Sequence, residues 1–146
     1  FSSLGKDPLS QDFNFTYLNA KINTSHSPIK NLLLNQKIIS GIGNIYACEI
    51  LFDSRISPLK KGKNISEKKL KHLLNSIKKI LKKAINNKGS SIKNYRLADG
   101  SLGNFQNKFN VYNKAGKYIK KKNKNMKIIK TIQSGRSTFY CPFLQK

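Results

Sequence analysis

The residues best placed to do chemistry in this 146-residue chain are Gly41-Ile42-Gly43-Asn44-Ile45-Tyr46-Ala47. Gly41 and Gly43 can take positive φ and carry no Cβ against an approaching partner. Asn44 is a good helix N-cap type. Apolar Ile45, Cys48 and Phe52 follow at helical spacing. The pattern predicts a tight turn opening onto a helix N-terminus, where backbone N–H groups and the positive end of the dipole attract a phosphate. A glycine turn that only links two core helices would read the same way.

The elements around this stretch fit a helical domain. Ser10-Gln11-Asp12 can cap a helix carrying Phe13 and Tyr17. Asn23 to Ser27 is a polar break containing His26. Pro28 to Leu34 reads as a short helix with Ile29, Leu32, Leu33 and Gln36 on one face and Lys30 pointing off it. Ser66 is a plausible N-cap, with Glu67 in the first turn and Ile65 and Leu70 placed as a hydrophobic staple. Leu70, Leu73, Leu74, Ile77, Ile80, Leu81, Ala84 and Ile85 then form one apolar stripe, with the lysines off it and Gly89 as the stop. A β pattern follows, with Phe105, Phe109 and Val111 on one side and a turn at Asn113 to Gly116. Ile128 to Ile132 and Thr138 to Cys141 make a second hairpin turning at Ser134-Gly135-Arg136, which puts Arg136 at or beside its tip. The expected class is α+β: a mainly helical domain, then a small β-hairpin unit.

Charge narrows the partners. Lys and Arg total 29 against 6 Asp and Glu, a formal net charge of +23. An AT-rich genome would raise the lysine count by itself, but residues 100 to 146 hold 11 Lys or Arg and no acid at all. A polyanion is the natural partner for such a tail. Two cysteines, Cys48 and Cys141, argue against a disulfide framework and fit an intracellular, cytoplasmic setting. No apolar run approaches the ~20 residues that span a bilayer. The chain begins at Phe1 with a linker-like composition, so it reads as the C-terminal piece of a longer protein.

Asp7-Pro8-Leu9, Pro28-Ile29-Lys30, Gly41 to Ala47, Gly89-Ser90-Ser91, Ala98-Asp99-Gly100, Phe105-Gln106, Val111-Tyr112 and Gly135 to Pro142 together resemble, in order and spacing, the C-terminal half of the bacterial formamidopyrimidine-DNA glycosylases. The resemblance implies residues 1–9 as a linker from a separate catalytic domain, 10–104 as a helix–two-turn–helix DNA-binding domain, and 105–146 as a zinc-finger-like β-hairpin domain. By the same resemblance, Lys30 and Asn44 (with Gly43) grip backbone phosphates, and Arg136 holds one from the finger and serves as an acid in strand elimination. His26 stands where the family often has a basic DNA contact. Ile92-Lys93-Asn94-Tyr95 would lie in the loop that meets an everted oxidised purine. These residue types suit phosphate binding, with Arg as a forked donor, Lys as a point charge, and Asn and free amides at a helix start.

Two departures qualify the resemblance. The family's four zinc-ligand positions fall here on Ile119, Lys122, Cys141 and Leu144. One thiol of four cannot close a structural zinc site, so a zincless finger held by Ile119, Ile128, Phe139 and Leu144 is expected, with no cofactor. The family's N-terminal Pro nucleophile and its Glu and Lys helpers also have no counterpart here. The expectation is a monomeric, membrane-independent DNA-binding part of a base-excision-repair glycosylase/AP lyase. It would engage double-stranded DNA with an oxidised purine or abasic site, require a catalytic domain in cis, and be inactive alone. A non-enzymatic helix–two-turn–helix RNA- or DNA-binding module, as in a ribosomal protein, and a decayed gene product are the alternatives.

Overall fold

A computed structural model describes residues 4–86 and 109–146. Four helices come first: α1 (Phe15–Ile22), α2 (Ile29–Leu34), α3 (Asn44–Asp53) and α4 (Glu67–Asn86), with a 3-10 turn at Gly62–Asn64 before the last. Two antiparallel hairpins follow, β1 (Tyr118–Lys121) with β2 (Lys124–Lys127), and β3 (Ile129–Gln133) with β4 (Arg136–Tyr140). The α+β architecture matches the expectation.

Local chemistry explains most boundaries. α1 starts later than Ser10-Gln11-Asp12 suggested. Asn14 is the cap, its side chain accepting from the Tyr17 N–H at 2.9 Å. Asp12 cannot cap, because its carboxylate is held by Lys6 at 2.8 Å and by the Ser10 hydroxyl at 2.6 Å. α4 starts as expected, with the Lys69 N–H donating to Ser66 Oγ at 3.2 Å. Its Leu70, Leu73, Ile77 and Leu81 are buried, whereas Ile85 at the far end is 60% exposed. Gly5 and Lys6 dock on the stretch before the glycine turn. Gly5 N–H donates to Gln36 O and Ser40 N–H to Lys6 O, and a Cβ at Gly5 would sit 2.2 Å from the Ile38 carbonyl carbon.

Helix α3 lies between two cores. Ala47, Ile50 and Leu51 join Phe13, Leu18, Ile29, Leu33, Leu73 and Ile77 in the helical core. Cys48 and Phe52 face the other way and join Val111, Met126, Ile128, Phe139 and Cys141. A helix buried on all sides reads as apolar all round, which is the character of Ala47 to Phe52 apart from Glu49.

Glu49 explains the main correction to the β-region. Phe109 and Val111 alternate as a strand should, yet no strand forms there. The Glu49 carboxylate accepts the N–H groups of Asn110, Val111 and Tyr112 at 2.7, 3.0 and 2.9 Å, so those amides are unavailable to a ladder. The chain does turn at Asn113 to Gly116, with Asn113 at φ 59° and Gly116 at φ 87°, but that turn joins no strand pair; the first hairpin turns instead at Lys122-Asn123, both left-handed, with φ 48° and 64°. The second hairpin turns at Ser134-Gly135, with Arg136 opening β4 opposite Gln133. The finger is further tied to the helical body by Gln145, whose Nε2 donates to Ile56 O at 3.0 Å and whose Oε1 accepts from Cys141 N–H.

Candidate nucleic-acid interface

The glycine turn is built as the sequence suggested, with one change of role. Gly41 takes φ +88°, and the Gln36 side chain braces the turn, accepting from Gly41 N–H at 2.7 Å and donating to Ile42 O at 3.2 Å. Gly43, not Asn44, is the N-cap of α3, with extended φ of −94°, and it gives the first turn no side-chain cap. Asn44 is the first helical residue. A Cβ built at Gly41, Gly43 or Gly135 would meet nothing within 4 Å, so these backbones border open space.

Lys30 differs most from expectation. In a six-residue helix there is little solvent face, and Lys30 is buried rather than turned outward. Its ammonium donates to Thr138 Oγ1 at 2.7 Å and Ser137 O at 3.1 Å. Burial holds its pKa below the usual lysine value, and the nearby Arg136 charge adds to that push. Asn44 reaches the same acceptor, donating from Nδ2 to Ser137 O at 3.0 Å. Asn31 adds a bond to Ser134 Oγ at 3.2 Å. The start of α3, helix α2 and the tip of the β3–β4 hairpin are thereby fastened into one surface.

Arg136 is exposed at the edge of that surface, one residue from the shared carbonyl. Among the described residues only two ion pairs form, Lys6–Asp12 and Lys79–Asp53, so no carboxylate there neutralises Arg136. His26 is exposed in a loop whose neighbours bond to residues 61–63, Gly62 N–H donating to Ser27 O and Lys63 N–H to Ser25 O. No hydrogen bond ties that loop to the Arg136 hairpin among the described residues. Ile92, Lys93, Asn94 and Tyr95 lie outside the described residues. Sequence reasoning missed Ser137, Thr138 and Glu49. Glu49 alone left a local signal, an acid in the middle of an apolar helix.

Residues 4–96 match the formamidopyrimidine-DNA glycosylase H2TH domain, well over half of the chain. The chain belongs to this family. A formamidopyrimidine-DNA glycosylase of Phenylobacterium zucineum is 42% identical over 146 residues, covering 100% of the chain and 51% of the relative. That of Roseobacter denitrificans is 41% identical over 145 residues, again 51% of its own length. Among solved structures, the Lactococcus lactis Fpg in complex with abasic-site DNA superposes with a TM-score of 0.86 at 35% identity, covering 99% of the chain and 52% of that protein. The MutM (Fpg) protein of Thermus thermophilus gives 0.83 at 34% identity, covering 98% of the chain and 54% of that protein. This chain spans about half the length of the curated relatives it matches. Among the described residues no helix is long and apolar enough to cross a membrane.

Proposed function

We propose that this chain is the DNA-gripping part of a formamidopyrimidine-DNA glycosylase/AP lyase acting in base-excision repair on duplexes with an oxidised purine or abasic site. One observation carries the reading: Lys30 and Asn44 converge on the carbonyl of Ser137, beside the unneutralised Arg136. In the proposed complex Arg136 takes a phosphate directly, and the first-turn amides behind Gly43 and Asn44 take the next. Lys30 keeps the site positive and the hairpin seated. His26 and the Ile92 to Tyr95 loop contribute at the margins, the latter toward the extruded base. The nucleophile comes from a catalytic domain in cis, and Arg136 there doubles as the elimination acid. The isolated chain binds DNA as a monomer and leaves bases intact.

Duplex binding across a salt series tests this. Arg136→Ala is expected to weaken binding about tenfold or more on any sequence and to flatten the log–log salt slope by about one. Unchanged affinity, or a change in lesion preference alone, would remove Arg136 from the phosphate site. A chain that prefers RNA to lesion-bearing DNA would favour the non-enzymatic module instead.

The finger is proposed to stand without zinc. The donor set does not suit the metal: Cys141 is a buried thiol, Lys122 is exposed at a turn, and Ile119 and Leu144 pack on the Val111–Met126–Phe139 cluster. Ile128 and Phe139 complete that apolar contact. Metal analysis of the purified chain should find far less than one zinc per molecule, and EDTA should leave the melting temperature unchanged. Stoichiometric zinc would overturn the proposal.

A further inference from the structure

Residues 35–43 join α2 to α3, and one side chain within them bonds to both ends of the connection. Gln36 accepts the Gly41 N–H on Oε1 at 2.7 Å, and its Nε2 donates to Ile42 O at 3.2 Å and to Leu34 O at 3.3 Å. Its main chain has a different partner: the Gln36 carbonyl accepts the Gly5 N–H at 2.7 Å. The neighbouring contacts extend that docking. Ser40 donates to Lys6 O from its N–H at 3.0 Å and from its hydroxyl at 3.3 Å, and Lys6 bridges Ile39 in parallel. So close an approach needs glycine, because a Cβ at Gly5 would lie 2.2 Å from the Ile38 carbonyl carbon. Tyr17 pins the same stretch, its hydroxyl donating to Ile38 O at 2.6 Å and its ring lying 5.2 Å from the Lys6 ammonium. Gly41, at φ +88°, has many other conformations open to it, so the turn is entropically loose without a brace. Gln36 is exposed, so its bonds shape the turn rather than add to the core.

We propose that Gln36 is a positioning residue that couples the docking of the entering Gly5–Lys6 segment to the shape of the glycine turn. The inference rests on the reading that this turn binds DNA. Gln36 belongs to neither the entering segment nor the start of α3, yet it bonds to Gly5 through its main chain and to Gly41 through its side chain. With Gly5 and Lys6 seated, the stretch from Gln36 to Ser40 is held and the Gln36 amide is aimed at Gly41 and Ile42. The amides behind Gly43 then meet a phosphate from a fixed backbone. With the segment lifted, that stretch loses its bonds to Gly5 and Lys6, and the brace loosens. Linkage makes the effect reciprocal: an anion that selects the braced turn also favours the docked segment. In the proposed glycosylase this segment leads to the catalytic domain, so the grip on DNA and the placement of that domain are joined through Gln36.

The test uses the 146-residue chain, a short abasic-site duplex, and the variants Gln36→Met, Gly5→Ala and their double. Methionine keeps the length of the side chain and removes its hydrogen bonds, whereas alanine at Gly5 collides with the Ile38 backbone. Each single variant is expected to bind the duplex about fivefold more weakly, the scale of one net hydrogen bond. The double should bind little more weakly than either, as a shared path requires. The log–log salt slope should keep its wild-type value because no cation is removed, in contrast to Arg136→Ala. Hydrogen exchange reads the coupling itself. The Gly41 N–H should exchange faster in Gly5→Ala, although Gly5 bonds to Gln36 and not to Gly41, while α4 amides keep their protection and show that the fold survives. Saturating duplex should slow exchange at the Gly5 N–H in the wild type and not in Gln36→Met. Unchanged Gly41 exchange in Gly5→Ala, additive losses of affinity, or a Gly5 response to DNA that survives Gln36→Met would overturn the proposal. Failure of the DNA reading looks different: the wild type would bind no duplex, and exchange at Gly41 without DNA would still decide the coupling.

Discussion

Glu49→Ala is expected to cost about 3–5 kcal/mol of stability and to free the finger before the helical core melts. The carboxylate accepts three consecutive backbone N–H groups at 2.7 to 3.0 Å. Glu49 and Val111 are buried, so water cannot replace the lost acceptor at Val111 without opening the cluster. Orphaning a buried donor costs roughly 1–3 kcal/mol, and the buried Val111 N–H is orphaned together with the partly buried bonds of Asn110 and Tyr112, beside the void left by the side chain. Glu49→Gln keeps one acceptor oxygen but turns an amide N–H toward other donors, so it should also destabilise, by less than alanine. Hydrogen exchange provides the readout. Protection at Asn110, Val111 and Tyr112 should collapse in the alanine variant while α4 amides persist, and urea unfolding should lose its single transition. Retained protection at those amides would mean that the aromatic contacts hold the segment. Phe109 against Tyr112 at 6.1 Å and Tyr112 against Phe139 at 5.0 Å would then be its principal anchors.

This same residue shows where the sequence stopped being legible. The α4 stripe, its Ser66 cap and the Ser134-Gly135 turn are local patterns, and each was readable because neighbours within four residues decide it. The segment from Phe109 to Tyr112 has strand-like alternation, but a strand also needs a partner for its amides. The partner it finds is a side chain some sixty residues earlier, Glu49. Asn14 displaced Asp12 as a cap for a similar reason: Lys6 and Ser10 had already taken the Asp12 oxygens. Periodicity states which face is apolar, not which polar groups are already engaged.

For the proposed clamp, candidate residues were readable in the sequence but their wiring was not. Lys30 and Asn44 do meet at the Ser137 carbonyl, next to Arg136, although 106 positions separate Lys30 from Arg136. What sequence could not show is that the first two spend their donors on Ser137 and Thr138 of the finger. A lysine on a helix is solvated by default. Its burial here depends on β4 covering α2, a tertiary event with no local signature. Gly43 and Asn44 exchange cap and first-turn positions for a smaller reason, since glycine suffices as a cap when the Asn side chain has a better acceptor elsewhere.

That wiring makes Lys30→Met the sharpest probe of how the clamp works. Methionine preserves much of the buried volume but not the two donated hydrogen bonds, so stability should fall by about 1–3 kcal/mol, less than for Lys30→Ala, which also opens a cavity. DNA affinity should fall by about tenfold or more, because the Ser137 segment loses one of its two donors and Arg136 loses its fixed position. A direct phosphate contact by Lys30 and a positioning role predict different double-mutant cycles. In the positioning case, Lys30→Met added to Arg136→Ala should weaken binding little further than Arg136→Ala alone, a coupling of most of the single-mutant effect. Two independent phosphate contacts would instead give additive losses, and the salt slope would drop by about 0.9 for each. The observed ammonium is buried and bonded to two protein oxygens, and its pKa is held down by that burial and by Arg136. Those facts favour coupling, in which Lys30 would act on DNA through the hairpin it seats; additive losses would place its ammonium on the phosphate itself.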